Sequence, residues 1–499
     1  MSVRSATRSP CCSQASRNHR DAAIRELTAP FFARGDVGEQ HLRRLLVFSY
    51  HFPPDRAIGA RRWEKFAHYA AERGWGLDVI MRVEPTTRAD DPRLAALPTG
   101  VRVFGIAERE LPLERVEHSV WSLARGRLGS ASGAPAASGA VTPAPAPESP
   151  SRPTSFARED VRWEATPRSA LRAYWAWRDY ARVGDWSRRA ARLARSVFAQ
   201  GVHRAVVTSG PPFMVHEAGR ITSARTGLPF IMDMRDPWAN VERLNEAIAS
   251  PMWIALADRH ERRSVRQAAL VVANTELARR QMGERYPRRT ADILTVMNGA
   301  DDDVLPTPAP SSRFTVAHAG TVYLDRDPRA LFIAAARLIQ ERSLTPEQFA
   351  LSFMGDIEAI GSYPLDAVAR ELGIRDYVEF VPAGPHRAAL EFQAAATMLL
   401  VMSGTNMAAI PAKTFESGRF PAWLLALSTP GSATAMLLEG TDADVAAPGD
   451  ADTILCALRR RYDQFAAGER PTPIAADSRF SRREQARILF DAIEERVGR

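Results

Sequence analysis

Lysine is almost missing from this sequence. Of 66 basic residues only Lys65 and Lys413 are lysines, and the rest are arginine. The bias follows base composition, yet it makes a lysine inside a motif harder to dismiss as surface decoration. Cysteine is scarce too: Cys11, Cys12 and Cys456 form neither a disulfide framework nor a zinc spacing, and they fit a reducing cytoplasm. No run of 18 apolar residues occurs, so no transmembrane helix is expected. An apolar segment near the start is also lacking, which argues against a secretory signal. The Arg- and Ser-rich, acid-poor residues 1–40 are expected to be a disordered tail with a short helix near 20–34, with a transit peptide as the alternative. Net charge is +8, but no compact basic block marks a nucleic-acid face.

What the chain does have is alternation. Its 499 residues suggest two or three domains at about 150 residues each, and 45% hydrophobic content is ordinary for real cores. Leu45–Ser49 is a continuous apolar strand, followed by the loop HFPPDRAIGARR and the helix ARRWEKFAHYAAERG, which Gly74 stops. GLDVIMR and VRVFGI are the next strands. Residues 130–153, SASGAPAASGAVTPAPAPESPSRP, read as a flexible insert that buries no core. The stretch 168–199 reads as helices with an aromatic stripe and many arginines. Its Trp175, Trp177 and Trp186 either pack on the domain or, together with a helix near 113–128, lie on a membrane surface.

HRAVVTSGPP, LPFIMDMRDPW, ALVVANT and ILTVMNGAD are further strands, with helices between them, including one over 240–268. After a short linker at 306–312 the alternation restarts with FTVAHAG, ALSFMG, YVEFVPAG, TMLLVMS and AWLLALSTP. This pattern predicts an α/β fold. Two Rossmann-like domains, 41–305 and 306–478, face a shared cleft with their strand ends. A last helix within 479–499 packs back on the first domain.

The segment 395–430 is the chemically richest. Met398–Met402 is a buried strand, and a loop of small residues leads into PAKTFE. There Pro411 opens a helix, and Lys413 and Glu416 share one face. A strand end, a loop and a helix N-terminus offer free N–H groups and a positive dipole end. The combination suits a phosphate and a sugar hydroxyl; the plainer alternative is a surface ion pair worth a few tenths of a kcal/mol.

Several stretches together resemble glycosyltransferase family 4, the retaining nucleotide-sugar transferases of GT-B fold, in the bacterial branch with a D-x-R-D-x-W motif. They are FSYHFPPD…GARR, VVTSGPP, TGLPFIMDMRDPW, VVANT and MNGAD, then HAGTVYLDRDPRAL, VEFVPAGPH, IPAKTFE and STPGSAT, in order over residues 43–470. The resemblance implies a nucleoside-diphosphate sugar in the C-terminal half, an acceptor in the N-terminal half, and transfer with retention. It implies no cofactor and no metal held by carboxylates.

Charge on the leaving diphosphate must then be met by cations and backbone N–H groups. Gly59, without a Cβ, lets backbone approach a phosphate, unless it is a plain loop glycine. Gly320, Thr321 and Gly384 fall in the donor-side motifs. Arg326 offers a forked guanidinium, flanked here by Asp325 and Asp327, and Lys413 supplies the second cation. Glu416 matches the second glutamate of the family's E-x7-E pattern and would accept two hydrogen bonds from the ribose diol. Asp233 or Asp236 binds a donor or acceptor hydroxyl, or pairs internally with an arginine. The catalytic candidates are Asp233, Asp236, Arg326 and Lys413. Arg61, Arg62, Ser209 and Arg235 are placed on the acceptor side. His318 and His386 are given structural roles, His386 near the nucleobase.

The chain departs from the family at Ala408, the place of the first glutamate, and at GRFPAWL after Glu416. The leading expectation is a retaining, metal-independent glycosyltransferase of polysaccharide or glycolipid assembly. It would be cytoplasmic or peripheral at the inner membrane face, with a sugar or lipid-linked acceptor and no nucleic-acid partner. The alternatives are a nucleotide-sugar 2-epimerase-like isomerase and an inactive sugar-nucleotide-binding relative.

Overall fold

A computed structural model describes residues 31–33, 43–55, 57, 59–114, 155–307, 311–322, 326–355, 359–360, 363–404 and 406–498. The expectations for 1–30, 34–40, 115–128 and 130–153 lie outside those residues. Phe32–Ala33, inside the stretch read as tail and helix, instead form a short edge strand.

The first sheet holds β1 (Phe32–Ala33), β2 (Arg43–Ser49), β3 (Trp75–Val83), β4 (Val101–Ala107), β5 (His203–Gly210), β6 (Phe230–Met234), β7 (Leu270–Ala273) and β8 (Ile293–Thr295). Their order is β1-β4-β3-β2-β5-β6-β7-β8, parallel except for β1. The second sheet holds β9 (Phe314–Ala319), β10 (Phe349–Met354), β11 (Val378–Val381), β12 (Met398–Gly404), β13 (Trp423–Ser428) and β14 (Asp444–Ala446). Its order is β11-β10-β9-β12-β13-β14, parallel throughout. In each sheet the chain winds outward in one direction, returns to the middle and winds outward in the other. The reversal leaves a crevice between β2 and β5, and another between β9 and β12.

The strands read as unbroken apolar runs because both faces of each sheet are covered. Leu46 and Phe48 of β2 enter one core, with Trp186 and Val215. Leu45 and Val47 enter the opposite one, with Trp63 and Phe66. The helices that matter here are α1 (Ala60–Glu72), α2 (Pro167–Val197), α3 (Val215–Thr226), α4 (Pro251–Gln267), α5 (His386–Ala394), α6 (Ala412–Ser417) and α7 (Arg482–Val497). One continuous helix, α2, replaces the several expected over 168–199, with Pro167 in its first turn and Thr166 capping the Ser169 N–H. The helix expected over 240–268 begins only at Pro251. Ser250 caps it, and a short strand, Arg243–Asn245, precedes it.

The chain crosses between domains twice at one place. Ala300 donates its N–H to Phe480 O at 2.6 Å, and Arg482 returns its N–H to Ala300 O at 2.8 Å. Beyond that crossing α7 lays Ala486, Leu489, Phe490 and Ile493 on the first domain's core. Among the described residues no helix is long and apolar enough to cross a membrane.

Candidate functional site

At the end of β6, Asp233 is fully buried. Arg62, from the first turn of α1, grips it with Nε to Oδ2 and Nη2 to Oδ1, both at 3.0 Å, and Trp63 Nε1 donates to Oδ2 at 2.9 Å. Ser209 Oγ approaches the same oxygen at 3.4 Å. The other Arg62 hydrogens go to the carbonyls of Val296 and Met297, at 2.9 and 3.0 Å, and to Asn298 Oδ1 at 3.3 Å. For Asp233 this is the internal pairing with an arginine, one of the two roles left open to it. Asp233, Arg62 and Ser209 form a buried strut tying β6, α1 and the segment after β8.

Asp236, three residues on, is the opposite case. Its side chain is open to solvent, yet enough protein surrounds it that desolvation raises its carboxyl pKa against the pull of Arg235 and Arg62. It lines a small recess with Met234, Pro237, Asn240 and Gln281. Arg235 bends back, donating from Nε to Gly210 O at 2.6 Å and from Nη2 to Pro211 O at 2.8 Å. Its guanidinium lies against Gly59, where a Cβ would stand 2.4 Å from Nη1. A side chain at Gly59 would displace the arginine above it. Arg61 is half-exposed, with Asp301 at 3.9 Å, and its charge is felt by His386 and Asp303.

On the second sheet, β9 ends at Gly320. Its φ of +151° is a glycine conformation, and its carbonyl would stand 2.5 Å from a Cβ at Gly355, the end of β10. Thr321 follows, exposed, and then Arg326. Gly384 sits against Met354, where a Cβ would lie 3.0 Å from Cε. Across the crevice, Lys413 Nζ donates to Glu416 Oε1 at 2.7 Å. Gln393 Nε2 donates to the same oxygen at 2.9 Å, and Ser417 Oγ holds Gln393 in turn at 2.8 Å. Glu416 Oε2 faces His386 Nε2 at 3.8 Å. Burial pushes the Glu416 pKa up, but Lys413 and Gln393 outweigh it, and the net shift is down. Burial also lowers His386.

The loop between β12 and α6 closes on the first domain. Glu242 accepts the Met407 N–H at 2.9 and 3.1 Å, and Thr275 Oγ1 donates to Ala408 O at 2.7 Å. Ala408 is buried in the first domain's core. Sequence reasoning missed Glu242, Thr275 and Gln393. Glu242 and Gln393 lie outside every motif quoted above; Thr275 closes VVANT, but its partner, the Ala408 carbonyl, lies 133 residues away in the chain.

The structure thus gathers Gly320, Thr321, Gly384, Arg326, Lys413 and Glu416 at the carboxyl ends of the second sheet. Gly59, Arg61, Arg235 and Asp236 lie at those of the first, with Asp233, Arg62 and Ser209 behind as scaffold. Two doubly wound parallel sheets meeting through their carboxyl-end loops define the GT-B architecture.

No family model matches the chain. Over 200 residues it is 25% identical to the D-inositol 3-phosphate glycosyltransferase of Nocardiopsis dassonvillei, covering 38% of this chain and 46% of that protein. The match thus spans less than half of that relative. Among solved structures, the glycosyltransferase from Rickettsia africae superposes with a TM-score of 0.56 at 11% identity, over 92% of this chain and 99% of that one. Sucrose-phosphate synthase of Thermosynechococcus elongatus gives 0.52 at 14%, over 91% and 97%. The α,α-trehalose 6-phosphate synthase of Burkholderia multivorans gives 0.52 at 11%, over 91% and 98%. These likenesses show the fold.

Proposed function

We propose that this chain is a retaining glycosyltransferase. It takes a sugar from a nucleoside diphosphate held at the β9–β12 crevice and passes it to an acceptor held by the first domain. The observation that carries the reading is the Lys413–Glu416 pair beside that crevice. Gln393 and Lys413 fix Glu416 through Oε1, which leaves Oε2 for a ribose hydroxyl. Lys413 and Arg326 meet the charge that grows on the β-phosphate as it leaves, without a carboxylate-bound metal. Asp236, open and without a hydrogen bond among the described residues, takes a hydroxyl of the donor or acceptor. The sequence resemblance supports retention. Ala408, with no carboxylate at that position, leaves the sugar's own hydroxyls to other groups.

The acceptor in this reading is lipid-linked, and the protein sits peripherally on a membrane. Among the described residues, Leu113, Trp163, Leu171, Trp177 and Met252 of the first domain are exposed large hydrophobics. Exposed Arg162 and Arg168 lie among them.

Calorimetric titration of UDP, GDP and ADP tests the donor site. Glu416→Ala removes hydrogen bonds made in both ground and transition states and is expected to weaken nucleotide binding by about 1–3 kcal/mol. Lys413→Ala is expected to lower turnover more than binding. Equal affinities in wild type and both variants would place the donor elsewhere. Conversion of a nucleotide sugar in the absence of any acceptor would favour the isomerase.

A further inference from the structure

Strand β9 carries a histidine whose ring is almost enclosed: His318 is 5% exposed. Its Nδ1 lies 2.9 Å from the Leu400 carbonyl on β12. A carbonyl only accepts, so Nδ1 bears the hydrogen and Nε2 keeps its lone pair. That Nε2 is buried and has no hydrogen-bond partner. Burial lowers the ring's pKa to about 4; the Leu400 bond opposes the shift, and Arg326 and Lys413 add to it. The ring is therefore neutral at neutral pH, and Nε2 is a bare acceptor.

Its position gives the acceptor meaning. A Cβ at Gly320 would lie 3.4 Å from Nε2, so the lone pair points to the end of β9, at the crevice between β9 and β12. The charges the ring feels there are Arg326 and Lys413. Two cations suit phosphate oxygens. A lone pair beside them repels a phosphate oxygen and attracts a hydrogen-bond donor. Reaching it requires the chain at Gly320 to give way slightly, which a residue without a side chain permits.

We propose that His318 Nε2 accepts a hydrogen bond from a hydroxyl of the sugar whose phosphate Arg326 and Lys413 hold. The inference rests on the transferase reading and deepens it: the crevice recognises a sugar joined to a diphosphate, in preference to the diphosphate alone. His318 is a specificity residue and moves no proton. Glu416 serves the ribose on the other side of Lys413.

The test pairs each nucleotide sugar with its bare diphosphate: UDP-glucose with UDP, GDP-mannose with GDP, ADP-glucose with ADP. The wild-type protein identifies the pair that binds. For that pair, His318→Phe is expected to weaken the nucleotide sugar about tenfold and leave the diphosphate within about twofold. His318→Gln, whose Oε1 reaches where Nε2 stands, is expected to recover most of the loss. Unchanged affinity of His318→Phe for the nucleotide sugar overturns the proposal. Equal weakening of both ligands also overturns it, because that is the signature of a purely structural ring. Wild-type protein that binds neither member of any pair overturns the transferase reading itself, and this inference with it.

Discussion

A carboxylate shut away from water stays charged only where its partners outweigh the lost hydration. Asp78 meets that condition through four strands at once. It lies on β3, fully buried, with Arg44 Nη2 of β2 at 2.7 Å, Arg102 Nε of β4 at 2.6 Å and His203 Nε2 of β5 at 2.8 Å. Burial raises its pKa, but these hydrogen bonds outweigh it and hold the carboxyl far below the usual range. A depressed native pKa gives stability that is present above the unfolded value, about 3.9, and is lost as pH falls below it. Asp78→Asn is expected to cost about 3–5 kcal/mol at neutral pH. The melting temperatures of wild type and variant should converge between about pH 5 and pH 2. Parallel melting curves across that range would refute the linkage. At this scale the sequence was only partly readable. It singled out both Asp233 and Asp236 but could not separate them, because the partner that turns Asp233 inward, Arg62, lies 171 residues away in the chain. His318 was similarly opaque: only the Leu400 carbonyl on a neighbouring strand fixes which ring nitrogen is bare.

Elements were more legible than residues. Runs such as Leu45–Ser49 specify strands because both faces are covered, and Gly227 at φ +73° stops α3 by ordinary local chemistry. The boundary of α4 was missed because the apolar spacing before Pro251 mimics a helix, while Ser250 is the cap that counts. The aromatic stripe of α2 divided where periodicity alone cannot decide. Trp186 went into the core and bonds Ile106 O at 3.1 Å, whereas Trp177 and Leu171 stayed outside. Changing Trp163, Leu171 and Trp177 together to serine should therefore reduce binding to phosphatidylglycerol vesicles at least about tenfold, or ~1.4 kcal/mol. The melting temperature should fall by only a few degrees, since each of the three keeps 40% or more of its surface in water. Sedimentation with vesicles checks this. Wild-type protein that stays in the supernatant when such vesicles are pelleted would remove the membrane from the reading.

For the whole molecule, the domains meet on the cleft side through Ala408, buried among first-domain residues, through Leu277 against the second domain's core, and through two hydrogen bonds. One charged hydrogen bond from Glu242 and one neutral bond from Thr275 together favour the closed arrangement by about 2–4 kcal/mol. Glu242→Ala with Thr275→Val is expected to shift the unliganded protein toward an open form. Small-angle scattering should record a larger radius of gyration, and donor addition should reverse it. An unchanged profile would mean that the domains are held by something else. The alternation of strands and helices predicted two such domains, but not this clasp, because its members belong to no repeating pattern.

The return of α7 to the first domain has a consequence in time. Ribosomes release chain at about 5–20 residues per second, and domains generally fold as they emerge. The first sheet is complete once β8 is out, yet the apolar surface beside Trp63 and Phe66 still lacks Leu489, Phe490 and Ile493. Those arrive only after the whole second domain has been made, on the order of ten to forty seconds later. The domain that is synthesised first is thus finished last. Through that interval its bare flank is a place for a chaperone to hold, or for two nascent copies to stick.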